Sequence, residues 1–461
     1  MKTTHKKDIH AVVISRHCRR TNESDEQMKV LMVLCAAAMV LTADAIQFEV
    51  VRDHKDCLYA CGEESIFTVT GRNDDGTIAM AGKVAWSLDN FNAGNALKSG
   101  EVDLAQKNPF AVKGTMCEPG FLRLQLKADG YKEPFNTCGW SVGYEPEKIR
   151  KASPLPADFD AFWAAGRAKL EKEVPIDVQM TPYPEKSSPD WNYYRISFAT
   201  FGRRLYGFFS TPTDKFRAKF PARLQIASAG WGDWTNFQPG KKGMVYLWFS
   251  VYPFEPSWDW EKDGTTQKFR QMNADYCRKW GCGGYERAGI AGKRNEYFFY
   301  AVTLGINRAV EWLAKHPMVD ASDITYFGGS QSGGLGLYLV GLNHRFRKAV
   351  TTVPALTDTM AHLVGRVSSW PRNWENAQTD AERAAIDRNL PYYDAANFAS
   401  RVQCPIRLTV GFRDGTCFPP CVYAAYNEIH VKDKAIEHAV DSGHGMPDNV
   451  VGPMNDWLMA K

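Results

Sequence analysis

The sequence predicts an α/β protein whose larger part is a mostly parallel sheet covered on both faces by helices, preceded by an immunoglobulin-like β-sandwich. Three observations predict it. The chain has 461 residues, too many for one compact domain at roughly 100 to 200 residues each. From Ile46 to about Tyr144, short stretches alternate polar and apolar residues between Gly, Asn and Asp turns. Beyond Asp158, apolar or β-branched runs alternate with segments of helical spacing, the pattern of strands and helices layered on one another.

Composition narrows the class before any motif is read. Hydrophobic residues make up 44% and charged residues 23%, which excludes a disordered, collagen-like or coiled-coil polymer. The net charge of +4 is partly N-terminal, since Met1 to Ala45 holds seven Lys/Arg against five Asp/Glu. The near-neutral remainder offers no basic stripe for nucleic acid and no polybasic patch for a membrane surface.

The first element is a targeting pattern. Met28-Lys29 opens an apolar run that closes on Ala43-Asp44-Ala45, matching a basic n-region, an h-region and an A-x-A cleavage site. The expectation is a signal peptide over residues 28–45, an upstream extension over 1–27 absent from the mature protein, and a secreted or periplasmic location. The apolar run is shorter than the roughly 20 residues a span requires, so no stable membrane span is expected. Export leaves nine cysteines, Cys57, Cys61, Cys117, Cys138, Cys277, Cys282, Cys404, Cys417 and Cys421. An oxidising compartment permits disulfides; Cys277 with Cys282 and Cys417 with Cys421 are close enough for local staples, and buried apolar thiols are an equal alternative. No C-x-x-C pair or H-E-x-x-H occurs, so no zinc site is expected.

The sandwich is expected over 46–145. Ser65-Ile66-Phe67-Thr68-Val69-Thr70 and Phe121 to Leu126 alternate with period two, as half-buried strands do. Residues 146–157 carry three prolines and read as a linker. The larger domain, 158–461, starts with a helix whose apolar residues are Phe159, Phe162, Trp163 and Ala164. Strands are expected at Leu224 to Ala227, Ile324 to Phe327, Ala349 to Val353, Ile406 to Val410 and Glu437 to Val440. Between the first two, Phe298, Val302, Ile306, Ala309 and Leu313 form one apolar stripe of a helix.

Chemistry is suggested where the second of these strands ends. Asp323 to Phe327 runs into Gly328-Gly329-Ser330-Gln331-Ser332-Gly333-Gly334 and then the helix-like Leu335 to Leu342. A serine in such a strand-to-helix elbow projects its oxygen above the sheet, because small neighbours let the chain turn sharply. A helix start also supplies backbone N–H groups for a developing oxyanion. The strict G-x-S-x-G pattern wants glycine at Ser332, and an ordinary glycine-rich turn is the plainer reading of this stretch alone. Two later loops add weight. Asp414 follows the strand ending at Val410, and His444 follows the strand ending at Val440, both past carboxyl ends, where open α/β sheets assemble sites. The chain order Ser330, Asp414, His444 is that of an α/β-hydrolase triad. Asp441 competes as the acid, although only three residues separate it from the histidine.

These residues carry a resemblance. Tyr297 to Leu337, Arg413-Asp414 with Phe418-Pro419-Pro420 and Ala424 to Asn427, and Gly443-His444 together resemble the acetyl xylan esterase and cephalosporin C deacetylase family of α/β-hydrolases. The resemblance spans roughly Asp158 to the C-terminus. It implies Ser330 as nucleophile in a Gly-x-Ser-Gln-Gly-like elbow, Asp414 as acid, His444 as base, and the backbone N–H groups of Gln331 and Trp231 as oxyanion donors. The chain departs from the family where an Arg-Gly-Gln segment belongs, near Met244 to Pro256, since Leu247 to Pro253 does not contain it, and where His-Glu becomes His444-Gly445.

Tryptophans crowd residues 231–280, and sugar rings stack on such faces. Trp231, Trp234 and Trp248 are therefore candidate substrate contacts, beside the plainer reading of aromatics as core. The expected activity is a secreted serine carboxyl-ester hydrolase that removes acetyl groups from xylan or related oligosaccharides. No metal or organic cofactor, no nucleic-acid partner and an open oligomeric state accompany that expectation. The alternatives are a hydrolase of another ester or a peptide, and a non-catalytic carbohydrate-binding protein that keeps the elbow as scaffold.

Overall fold

The computed structural model describes residues 46–92, 95–213, 218–230, 243–256 and 264–460. Residues Ile46–Lys461 form one compact unit. The expected signal segment and extension lie outside the described residues.

Eight strands come first: β1 (Gln47–Arg52), β2 (Leu58–Tyr59), β3 (Ser65–Arg72), β4 (Lys83–Asp89), β5 (Lys98–Asp103), β6 (Phe110–Gly114), β7 (Gly120–Ala128) and β8 (Trp140–Tyr144). They make a three-stranded sheet in the order β1-β3-β6 and a five-stranded sheet in the order β2-β8-β7-β4-β5. Period-two patterning builds the inner faces: Phe67 and Val69 of β3, Val84 of β4 and Leu124 of β7 are fully buried, each burial stabilising by about 1.5–3 kcal/mol.

Nine strands then form one sheet: β9 (Gln179–Pro182), β10 (Trp191–Thr200), β11 (Arg203–Pro212), β12 (Phe220–Ile226), β13 (Val245–Phe249), β14 (Val319–Gly329), β15 (Phe346–Thr352), β16 (Ile406–Gly411) and β17 (Lys434–Ala439). Their order is β17-β16-β15-β14-β12-β13-β11-β10-β9. Strands β12 to β17 pair in parallel, and β9 to β11 extend the sheet antiparallel beyond β13. Strands β13, β15 and β16 are mostly buried, as parallel strands with both faces covered are, whereas the edge strand β17, KAIEHA, is largely half-buried.

The helices are α1 (Phe159–Glu173), α2 (Thr265–Trp280), α3 (Phe298–Lys315), α4 (Gln331–Leu342), α5 (Asp380–Asn389), α6 (Ala395–Ala399), α7 (Pro419–Asn427) and α8 (Asp448–Met459). Helix α3 lays Val302, Ile306, Ala309 and Leu313 inward, against β14 and β10. Helix α4 is buried along nearly its whole length. Two glycines allow that: a Cβ at Gly334 would sit 2.1 Å from the Ala355 carbonyl oxygen, and one at Gly341 would sit 2.5 Å from that of Phe398. Among the described residues no helix is long and apolar enough to cross a membrane.

The proline-rich stretch over 146–157 is packed down. Asn427 donates to the carbonyls of Pro146 and Ile149 at 3.0 and 2.8 Å, and the Ala152 N–H donates to Asp358 at 2.7 Å. The nine described cysteines are all free thiols. Cys417 and Cys421 are fully buried, and burial pushes both thiols well above their ordinary range.

Candidate active site

Ser330 stands between the end of β14 and the first turn of α4 with φ 58° and ψ −126°. A non-glycine residue there stores on the order of 1–3 kcal/mol of backbone strain, retained only where the surroundings over-determine it. Three backbone hydrogen bonds do so. The Ser330 N–H donates to the Thr352 carbonyl at 2.9 Å, and the Ser330 carbonyl accepts from Ala355 at 2.9 Å and Gly334 at 3.0 Å. Gly329 permits the approach to β15, since a Cβ on it would lie 2.5 Å from the Thr352 hydroxyl.

Ser332 occupies the position where the strict elbow has glycine, and its hydroxyl is absorbed locally. It donates to the Gly329 carbonyl at 2.7 Å and accepts from the Gly329 N–H at 2.8 Å. The small Ser228 lies beside it, its hydroxyl 3.4 Å away. The departure from the motif is thus a satisfied polar group 2% exposed.

The carboxyl ends of β16 and β17 bring the other two residues to this elbow. His444 Nε2 lies 2.8 Å from Ser330 Oγ, and His444 Nδ1 lies 2.9 Å from Asp414 Oδ2. Asp414 is fully buried. Its other oxygen accepts the N–H groups of Thr416 at 2.7 Å and Cys417 at 2.8 Å, so the carboxylate is held at both ends. The rival acid turns away: Asp441 is 79% exposed and pairs with Arg52 at 2.6 Å.

Gln331 opens α4, placing its N–H in the first turn, where backbone donors lack intrahelical acceptors. Its side chain is fully buried. The amide oxygen accepts from the Tyr285 hydroxyl at 2.7 Å, and the amide nitrogen donates to the Ala227 carbonyl at 3.3 Å. Burial, then the neighbouring Tyr252, raises the Tyr285 phenol well above its ordinary range, so it stays a donor. The Tyr252 hydroxyl shares its single proton between the Gly230 carbonyl oxygen at 3.0 Å and the Tyr285 oxygen at 3.3 Å. This buried chain ties the elbow to the loop that continues into residue 231. Trp231 and Trp234 lie outside the described residues. Trp248 is on β13, 4% exposed and stacked on Phe208 at 5.6 Å; it lines a cleft of about 290 Å³ with Ser228, Phe327 and Ser332.

Asp414, Cys417 and His444 have ligand atoms within 4.8 Å of one another. A metal would have to displace the proton of the Cys417 thiol, which burial raises well above its ordinary range. Both Asp414 oxygens and both His444 nitrogens are already engaged in hydrogen bonds. The donor set fits a proton relay better than a cation.

Sequence reasoning missed Tyr285, Tyr252 and a set of contacts from the N-terminal sheets. The two tyrosines carried no motif. The N-terminal residues sit in a segment without catalytic residue types in any pattern.

Comparison with known proteins places this geometry in context. Residues 145–451 match the family model described as acetyl xylan esterase (AXE1). The chain is 28% identical over 392 residues to the acetyl esterase Axe7A of Xylanibacter ruminicola, covering 82% of each. It is structurally similar to an acetyl xylan esterase from a Paenibacillus species, with 23% identity, a TM-score of 0.56, and coverage of 68% of this chain and 98% of that one. Acetyl xylan esterase 1 from a Thermoanaerobacterium species matches with 20% identity, a TM-score of 0.55, and coverage of 71% and 98%. The two solved structures bear on the fold, an α/β-hydrolase sheet, and the family model covers most of the chain. The chain belongs to the acetyl xylan esterase family of carboxyl-ester hydrolases.

Proposed function

We propose that the protein is a secreted serine esterase that deacetylates xylan or related oligosaccharides through an acyl-enzyme. The observation that carries this reading is the pair of hydrogen bonds on one imidazole, 2.8 Å to Ser330 and 2.9 Å to Asp414. In the first step Ser330 Oγ attacks the acetyl carbonyl carbon while His444 Nε2 takes the hydroxyl proton. Asp414 accepts the Nδ1–H, fixes the tautomer and stabilises the imidazolium. Charge builds on the carbonyl oxygen, and the Gln331 N–H, with that of Trp231, donates to it. The tetrahedral intermediate collapses as the imidazolium protonates the departing sugar oxygen. Water, deprotonated by His444, then attacks the acetyl-serine; the imidazolium returns that proton to Ser330 Oγ as the acyl C–O bond breaks, releasing acetate and regenerating Ser330 and neutral His444. No cofactor enters these steps.

Secretion is supported by the basic, apolar and small-residue succession over residues 28–45. The immunoglobulin-like reading of residues 46–145 is supported by two antiparallel-rich sheets of three and five strands. On this reading 158–461 is the catalytic domain, and Trp231, Trp234 and Trp248 contribute to the substrate side of the site.

Acetate release from acetylated xylooligosaccharide tests the proposal, with wild type compared with Ser330→Ala. The expected result is release by wild type and loss by at least about a thousandfold in the variant, as removal of a triad member implies. Turnover of an amide substrate with acetylated sugar untouched would favour a peptidase. Equal absence of turnover in both proteins would favour a carbohydrate-binding role.

A further inference from the structure

The connection between β7 and β8, residues 129–139, leaves the N-terminal sheets and reaches the two loops that carry Asp414 and His444. Thr137 pairs with Asp414 as an antiparallel bridge, and the Cys138 N–H donates to the Arg413 carbonyl at 3.0 Å. One atom joins both loops: the Asn136 carbonyl accepts from the N–H of Gly415 and from the N–H of His444, each at 3.2 Å. Asn136 aims that carbonyl from the left-handed region, φ 61°, which asparagine tolerates better than most residues. Contact is close on both sides. A Cβ at Gly443 would lie 2.7 Å from the Asn136 oxygen, and one at Gly415 would lie 2.7 Å from the Thr137 oxygen.

Glu133 is the hub of this connection. Its carboxylate accepts from the Gly139 N–H at 3.0 Å, the Tyr131 hydroxyl at 2.8 Å, the Thr137 hydroxyl and the Arg413 guanidinium at 3.2 Å. Arg413, the neighbour of Asp414, also donates to the Gly139 carbonyl at 2.9 Å and lies over the Trp140 ring at 4.2 Å. Burial works to raise the Glu133 carboxyl, yet these donors hold it below its ordinary range.

We infer that this connection is a positioning element of the catalytic centre: the Asn136 carbonyl sets the spacing of the Asp414 and His444 loops, and Glu133 holds the connection and Arg413 in place. The inference rests on the triad reading above. Its logic is geometric. The imidazole meets both partners at hydrogen-bond distance, and displacement of a catalytic group by about 1 Å costs on the order of a hundredfold in rate. An N-terminal segment that ties down the backbone of both the acid and the base loops is therefore part of the machine, although it touches no reacting atom.

The test is steady-state kinetics of the full chain on acetylated xylooligosaccharide and on 4-nitrophenyl acetate. Glu133→Ala is expected to lower kcat about tenfold to a hundredfold on both esters with KM changed less than about twofold. Glu133→Gln, which keeps an acceptor oxygen for Thr137, Gly139 and Arg413, is expected to return within about threefold of wild type on the same geometric ground. Asn136→Gly, free to keep the left-handed backbone, is expected to retain activity, whereas Asn136→Val loses it. Val69→Ala, in the N-terminal core, lowers the melting temperature without moving kcat. Unchanged kcat in folded Glu133→Ala and Asn136→Val, or a loss seen only as KM for the sugar ester, would overturn the inference while a dead Ser330→Ala leaves the triad reading standing. Full turnover by Ser330→Ala would overturn both.

Discussion

Replacing Asp414 by Asn changes one atom, and the structure states which one. Asp414 Oδ1 accepts from Thr416 and Cys417 at 2.7 and 2.8 Å, so the amide oxygen of the variant stays there to keep both acceptor bonds. The amide nitrogen then occupies the Oδ2 position, 2.9 Å from His444 Nδ1. Two donors cannot face each other, so Nδ1 loses its proton and Nε2 takes it. The imidazole now presents an N–H to Ser330 Oγ and cannot accept the serine proton. The analogous substitution in serine proteases costs about 10⁴ in kcat, or about 5 kcal/mol at 1.36 kcal/mol per decade. The assay is acetate release per folded enzyme, with thermal unfolding showing that the two retained backbone bonds preserve the loop. Asp441→Asn is the comparison, since that carboxylate is 79% exposed and pairs with Arg52; its loss is expected to stay under about tenfold, because a largely solvated carboxylate contributes at most about 1 kcal/mol. A loss under about tenfold in Asp414→Asn, or a greater loss in Asp441→Asn, would refute the assignment of the acid.

Tyr285→Phe removes the donor to the fully buried Gln331 amide oxygen; an unsatisfied buried acceptor costs about 1–3 kcal/mol, so melting temperature and kcat both fall, and an unchanged variant would show that the tyrosine does not hold the elbow. Burial lowers the pKa of both His316 and His438, so these rings stay neutral in the fold while the unfolded chain protonates near pH 6.5. Stability from this source is complete above that pH and falls as pH drops through the window below it; thermal unfolding across pH is expected to show that loss, with a shallower slope in His316→Gln and in His438→Gln.

Much of the α/β layer was legible because its signals are local. The five parallel strands read from apolar runs are β12 and β14 to β17, and the stripe from Phe298 to Leu313 is α3. Strand β13, Val245–Phe249, was not assigned because its fully buried run, VYLWF, carries no alternation to distinguish strand from buried helix. The antiparallel extension of β9 to β11 was missed for another reason: its partners are set by the sheet edge and not by local spacing. Around the site, the chain order of Ser330, Asp414 and His444 was readable from strand ends. Asn136 was not, because its contribution is a backbone carbonyl, which any residue type possesses. Glu133 was equally silent, since its partner Arg413 lies 280 residues away.

The central claim is a covalent acetyl-serine, and trapping it tests the claim most directly. Wild-type protein mixed with an activated acetyl ester, quenched in acid within the first turnovers and mapped by peptide mass spectrometry, is predicted to carry one acetyl group on Ser330 that Ser330→Ala lacks. An enzyme that releases acetate while the peptide bearing Ser330 stays unmodified, or that carries the acetyl group on another residue, would contradict it.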